Sequence, residues 1–94
     1  MLMAKKGAVL IVLGPRVQGV GFRCEMKSMA DKLALVGEVY NCLNGRVRAE
    51  VEGEKDRIEQ LREWAKTGPK SAEVEQVLCF WRPLKSKFTE FQVK

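Results

Sequence analysis

Asn44–Gly45 is the most constraining pair of residues in this chain. It is the strongest short hairpin signal, because both residues tolerate the positive φ that tight hairpin turns require. The flanks agree with a hairpin. Gly37 to Leu43 reads as one strand and Arg46 to Gly53 as the next, with Val47, Ala49 and Val51 alternating with Arg46, Arg48, Glu50 and Glu52. That alternation gives the second of these strands one dry and one wet face, and it assigns Glu50 and Glu52 to water.

Helical patterns bracket the hairpin. Phe22, Met26, Met29, Ala30 and Leu33 recur at helical spacing and predict a helix from about Val20 to Leu35, closed by Gly37. Ile58, Leu61, Trp64 and Ala65 form the stripe of a second helix from about Glu54 to Thr67, ended by Gly68–Pro69. Met26 and Met29 are expected in the core, Trp64 against the sheet, and Trp81 on either face. The run Glu54-Lys55-Asp56-Arg57 is a solvated first turn.

Ala8 to Leu13 is short, β-branched and wholly apolar, as a central strand is, and Gly14–Pro15 stops it. Val74 to Arg82 and the shorter Phe88 to Val93 supply a fourth and a fifth strand. The order β-α-β-β-α-β with a terminal strand implies an α+β fold: an antiparallel sheet of four to five strands with two helices on one face. Ninety-four residues allow one domain, spanning 1–94, and exclude a separate cofactor-binding domain.

There is no histidine, which removes serine–histidine and cysteine–histidine catalysis and histidine-ligated metal. Cys24, Cys42 and Cys79 are odd in number and widely spaced, suggesting neither a disulfide framework nor a zinc site. Reduced thiols and a cytoplasmic location are expected. Lys5–Lys6 before an apolar run imitates a secretory signal, but the run is short and Pro15–Arg16 stands where small cleavage-site residues belong. No run reaches the roughly 18–20 apolar residues of a membrane span.

The net charge is +5, and its location matters more than its size. Lys5, Lys6, Arg16 and Arg23 lie within the first twenty-four residues, which contain no acid; thirteen basic and twelve acidic residues remain beyond them. An anion-attracting segment therefore leads a balanced body.

That segment includes a strand–glycine loop–helix junction, Gly14 to Arg23. A helix start offers unpaired N–H donors and partial positive charge, and Gly19 and Gly21 let an anion approach them. It is neither a Walker loop nor the dinucleotide fingerprint. Arg23 in the first helical turn opposes the helix dipole by about 0.3–1 kcal/mol, a placement that makes sense if its guanidinium grips an anion there; the alternative is a solvated arginine. Asn41 shares strand parity with Val39, so it faces the helix-covered side if Val39 does, or else it merely orders the nearby turn.

Pro15 to Arg23, Pro-Arg-Val-Gln-Gly-Val-Gly-Phe-Arg, closely resembles the acylphosphatase signature Gly-x-Val-Gln-Gly-Val-x-Phe-Arg. Gly37-x-Val39-x-Asn41-x-x-Asn44-Gly45-x-Val47 resembles that family's second motif, and Glu52–Gly53 and Phe91-Gln92-Val93-Lys94 also look familial. The resemblance implies a ferredoxin-like sandwich and hydrolysis of the carboxyl–phosphate bond of acyl phosphates, with no metal or cofactor. It implies that Arg16, Val17, Gln18, Gly19 and Val20 bind phosphate through their amides together with Arg23, and that Asn41 orients the attacking water. It further implies small-molecule partners, an acyl phosphate and inorganic phosphate. A monomer with no nucleic-acid or membrane partner is expected.

Pro15 stands where the signature usually has Gly, and it has no N–H to give. This departure supports an alternative, a catalytically weak anion-binding relative. A second alternative is an RNA-recognition-like module, because that fold shares the element order and stacks bases on exposed sheet aromatics. Here the third strand has no aromatic, leaving Tyr40, Phe80 and Trp81 to stack.

Overall fold

The computed structural model describes residues 4–94. The elements are β1 (Lys5–Leu13), α1 (Phe22–Lys32), β2 (Val36–Asn41), β3 (Val47–Glu54), α2 (Lys55–Ala65), β4 (Gln76–Arg82) and β5 (Phe91–Val93). They build one five-stranded sheet in the order β4-β1-β3-β2-β5. Both helices pack on one face, over a core that includes Leu10, Val12, Phe22, Met26, Val39, Val51, Ile58, Leu61 and Phe91. This is the ferredoxin-like α+β sandwich.

β1 starts three residues earlier than its apolar run, because Lys5 and Lys6 pair with Glu54 and Gly53 of β3. Main-chain pairing, not apolarity, decides that boundary. α1 is shorter than its periodicity suggests. Ala34 takes a left-handed φ of 56°, and the N–H of Leu35 bonds the Ala30 carbonyl at 2.9 Å. The turn sends Leu35 into the core, where it is buried. The closing role expected of Gly37 therefore falls to Ala34, and Gly37 lies within β2. Gly68 caps α2 as expected, with φ 66° and its N–H on the Trp64 carbonyl at 2.9 Å. Trp64 meets the Phe22 ring edge-on at 5.3 Å between centroids, so it also joins the two helices.

Two expectations are corrected at the chain's end. β1, β2, β3 and β4 pair antiparallel, but β5 runs parallel to β2, with Gly37 opposite Phe91 and Val39 opposite Val93. The cause is the path. The chain leaves β4 at the end of the sheet where β2 begins, crosses to the far edge, and so enters β5 in the direction of β2. That crossing also buries Glu52, which alternation had assigned to water. Glu52 is 6% exposed, and its carboxylate accepts from the N–H groups of Lys87 at 3.0 Å, Lys85 at 3.3 Å and Phe88 at 3.3 Å. A buried carboxylate is tolerated when hydrogen-bond donors surround it.

Candidate active site

The loop between β1 and α1 is pinned at both ends and arched in the middle. Val17 and Phe22 are buried in the core. Between them Gly19 and Gly21 adopt φ of 74° and 78°, a region L side chains rarely enter, and a Cβ on either would meet nothing within 4 Å. These glycines serve the backbone turn and leave the space outside it open. Gln18 fixes the arch sideways: its Nε2 donates to the carbonyls of Cys42 and Arg46, each at 2.8 Å. The loop and the β2–β3 hairpin are thereby joined.

The first helical hydrogen bond runs from Glu25 N–H to the Gly21 carbonyl at 3.0 Å. Among the described residues, no main-chain N–H from Val17 to Cys24 donates to another main-chain group. These donors gather at the positive end of the α1 dipole. Beside them lies a cavity of about 60 Å³ lined by Val17, Gly19, Gly21, Phe22, Arg23, Cys24 and Asn41. No carboxylate lines it. Pockets for whole small molecules run to about 300–1,000 Å³, so this one suits a single compact group.

Arg23 is half-buried, and its Nη1 donates to the main-chain oxygen of Lys94 at 2.7 Å. One edge of the guanidinium is thus held by Lys94, the residue after β5, and its other N–H groups remain available as donors. Asn41 is the last residue of β2, opposite Val47. It shares the face of Val39, as parity requires, but it is exposed.

Among the remaining residues expected in the site, Val17 and Gly19 line the cavity, whereas the Gln18 side chain is used in the two ties. Val20 packs against the core. The Arg16 guanidinium sits 4.0 Å from Glu73 and, with Pro15, lines a separate open groove of about 470 Å³ on the outer side of the loop. Pro15 therefore stands away from the cavity that holds Arg23 and Asn41. Gly14 is fixed too, since a Cβ there would strike the Glu73 carbonyl. Phe22, Cys24 and the Lys94 main chain are additional neighbours. Adjacency to Arg23 was the signal for the first two, and nothing local signalled the third. A roomier depression of about 310 Å³ lies at the opposite end of the sheet, where Lys5 and Arg57 are balanced by Glu52 and Glu54.

Fold and loop together define a small α+β domain whose strand–helix junction gathers N–H groups without main-chain partners, an arginine and an asparagine around one small cavity. Residues 8–93 match the family model described as Acylphosphatase. An acylphosphatase of Acaryochloris marina is 47% identical over 66 residues, covering 70% of this chain and 71% of that protein. The structure of an acylphosphatase from Coxiella burnetii superposes with a TM-score of 0.89 at 33% identity, covering 96% of this chain and 93% of that one. The acylphosphatase of Bacillus subtilis gives the same TM-score of 0.89 at 31% identity, covering 95% and 98%. The chain belongs to the acylphosphatase family. It is an acylphosphatase enzyme by that membership.

Proposed function

We propose that this chain hydrolyses acyl phosphates to a carboxylate and inorganic phosphate at the β1–α1 junction. The phosphoryl group rests on the loop amides around Gly19, with Arg23 gripping two of its oxygens. Asn41 faces the same cavity from β2 and orients a water in line with the bond to the acyl oxygen. As the water oxygen bonds phosphorus, the phosphorus–carboxyl oxygen bond breaks and its electron pair leaves with the carboxylate. The water's proton passes to a phosphate oxygen. The carboxylate is a good leaving group, so catalysis reduces to positioning and to stabilising charge on the phosphoryl oxygens. No imidazole, metal or cofactor enters this scheme.

The observation that carries the reading is convergence: Arg23, Asn41 and the unpaired loop amides border one small cavity although they come from separate elements. Pro15 lies on the outer groove instead, which favours a working enzyme over a weakened anion binder. The nucleic-acid reading draws less support. Trp81 pairs with core-facing Ala8 and so points to the helix side, under Lys55, and the Pro83–Lys87 crossing covers part of the other face. Among the described residues no helix is long and apolar enough to cross a membrane. We place the enzyme in the cytoplasm as a monomer acting on small molecules.

Benzoyl phosphate tests the reading. Phosphate release with competitive inhibition by inorganic phosphate is expected. Asn41→Ala lowers turnover while leaving the phosphate inhibition constant within about twofold, since uniform binding is retained. A pure loss of phosphate affinity in that variant contradicts the water-orienting role.

A further inference from the structure

Five large apolar side chains stand exposed among the described residues: Leu43, Phe80, Trp81, Leu84 and Val93. Singly, such residues need no explanation. Leu43 and Val93, however, are both near Asn41, one in sequence and one across the sheet. Leu43 follows it by two residues, in the Cys42–Gly45 turn, and its whole surface is in solvent. Val93 lies opposite Val39 in β5, one diagonal step from Asn41. It shares parity with buried Phe91, so it points to the helix side, where Arg23 sits. The next residue, Lys94, supplies the oxygen that holds Arg23.

The turn bearing Leu43 is held in place. Gly45 N–H bonds the Cys42 carbonyl at 3.1 Å, Arg46 N–H donates to Asn44 Oδ1 at 3.1 Å, and Gln18 clamps both sides of the turn to the loop. A fixed turn that presents a leucine to water contributes nothing to the core. It offers a firm apolar surface two residues along the chain from Asn41.

Resting on the hydrolase reading above, we infer that Leu43 and Val93 form an apolar rim that takes the hydrocarbon part of the acyl group. The cavity of about 60 Å³ accommodates the phosphoryl group alone, so the acyl group lies outside it, at the level of the rim. The two side chains then determine specificity, favouring acyl phosphates with aromatic or extended aliphatic groups over the shortest ones. The gain is burial of apolar surface on both partners.

The test compares kcat/KM for benzoyl phosphate and acetyl phosphate. Leu43→Ser is expected to lower the benzoyl-to-acetyl ratio about threefold to tenfold, the scale of lost contact in an open apolar site. Val93→Ser lowers it in the same direction. Leu84→Ser, an exposed leucine remote from the cavity, leaves the ratio unchanged. An unchanged ratio in Leu43→Ser, or an equal shift in Leu84→Ser, overturns the rim while leaving hydrolysis intact. Failure of the unmodified chain to hydrolyse either compound overturns the hydrolase reading and the rim with it. Because Leu43 lies in a solvent-exposed turn, its variant carries the test even where Val93→Ser unfolds.

Discussion

Arg23 and Lys94 stand 71 residues apart in the chain, yet the Arg23 guanidinium donates to the Lys94 main-chain oxygen at 2.7 Å. Lys94 is itself fastened, its N–H on the Val39 carbonyl at 2.9 Å. The arginine of the loop is thus aimed by the end of β5, and through it by the strand that carries Asn41. Removing Lys94 leaves Arg23 free to swing into solvent. Hydrogen bonds to charged groups contribute about 1.5–3 kcal/mol when buried, and less at a half-exposed site such as this one. The truncated chain is expected to bind inorganic phosphate about threefold to tenfold more weakly, with an unchanged circular dichroism spectrum. Unchanged inhibition by phosphate contradicts the aiming role.

Gln18 joins the two halves of the site through its bonds to the Cys42 and Arg46 carbonyls. Replacement by Glu turns a double donor into an acceptor facing two acceptors. The expected cost is about 1–3 kcal/mol in urea unfolding, together with a fall in turnover as loop and hairpin part. Gln18→Glu with wild-type stability and turnover argues that the two ties are incidental.

Glu52 separates fold from chemistry. Its carboxylate binds the crossing loop at Lys85, Lys87 and Phe88, at the end of the sheet away from Arg23. Glu52→Ala leaves those N–H groups without their acceptor and is expected to destabilise the chain by about 1–3 kcal/mol. At temperatures where the variant stays folded, its kcat matches the parent's. A large fall in kcat in the folded variant means the crossing loop reaches the site.

Cysteine alkylation reports the cavity directly. Cys24 is exposed and borders the cavity with Arg23. Cys79 is half-buried, and burial pushes its thiol up from its ordinary value; nearby Arg62 pulls it down and Glu59 adds to the rise. A raised pKa leaves less thiolate at neutral pH, so Cys79 is the slower to react, and its rate climbs with pH. Iodoacetamide is expected to modify Cys24 before Cys79 and to inhibit hydrolysis, with inorganic phosphate slowing both. Complete modification of Cys24 without inhibition shows that the cavity is not where substrate binds. Mass spectrometry beside the activity assay distinguishes these results.

Local signals were enough for much of this molecule. Asn44–Gly45 and the alternation of Val47, Ala49 and Val51 specify a hairpin, and the stripes of Phe22 and Ile58 specify two helices, because each depends only on near neighbours. The turn itself is longer than a two-residue one: Cys42 N–H bonds the Arg46 carbonyl and Gly45 N–H the Cys42 carbonyl, with positive φ at Gly45 and not at Asn44. Arg23 and Asn41 were legible as a motif. The remainder depends on pairings distant in sequence. Glu52 reads as a solvent-facing residue until a loop some thirty residues later folds over it. The parallel setting of β5 follows from the route of that same loop. Nothing near Arg23 announces its contact with Lys94, and exposed Asn41 shows that parity assigns a face without assigning burial.

The most direct test of phosphate capture by Arg23 is benzoyl phosphate hydrolysis by the parent chain beside Arg23→Ala. Removing a charged, doubly bonding partner of the phosphoryl group is expected to lower kcat/KM by at least about a hundredfold and to weaken inhibition by inorganic phosphate in parallel. The folded Arg23→Ala chain retaining near-parental turnover would contradict the assignment of the site.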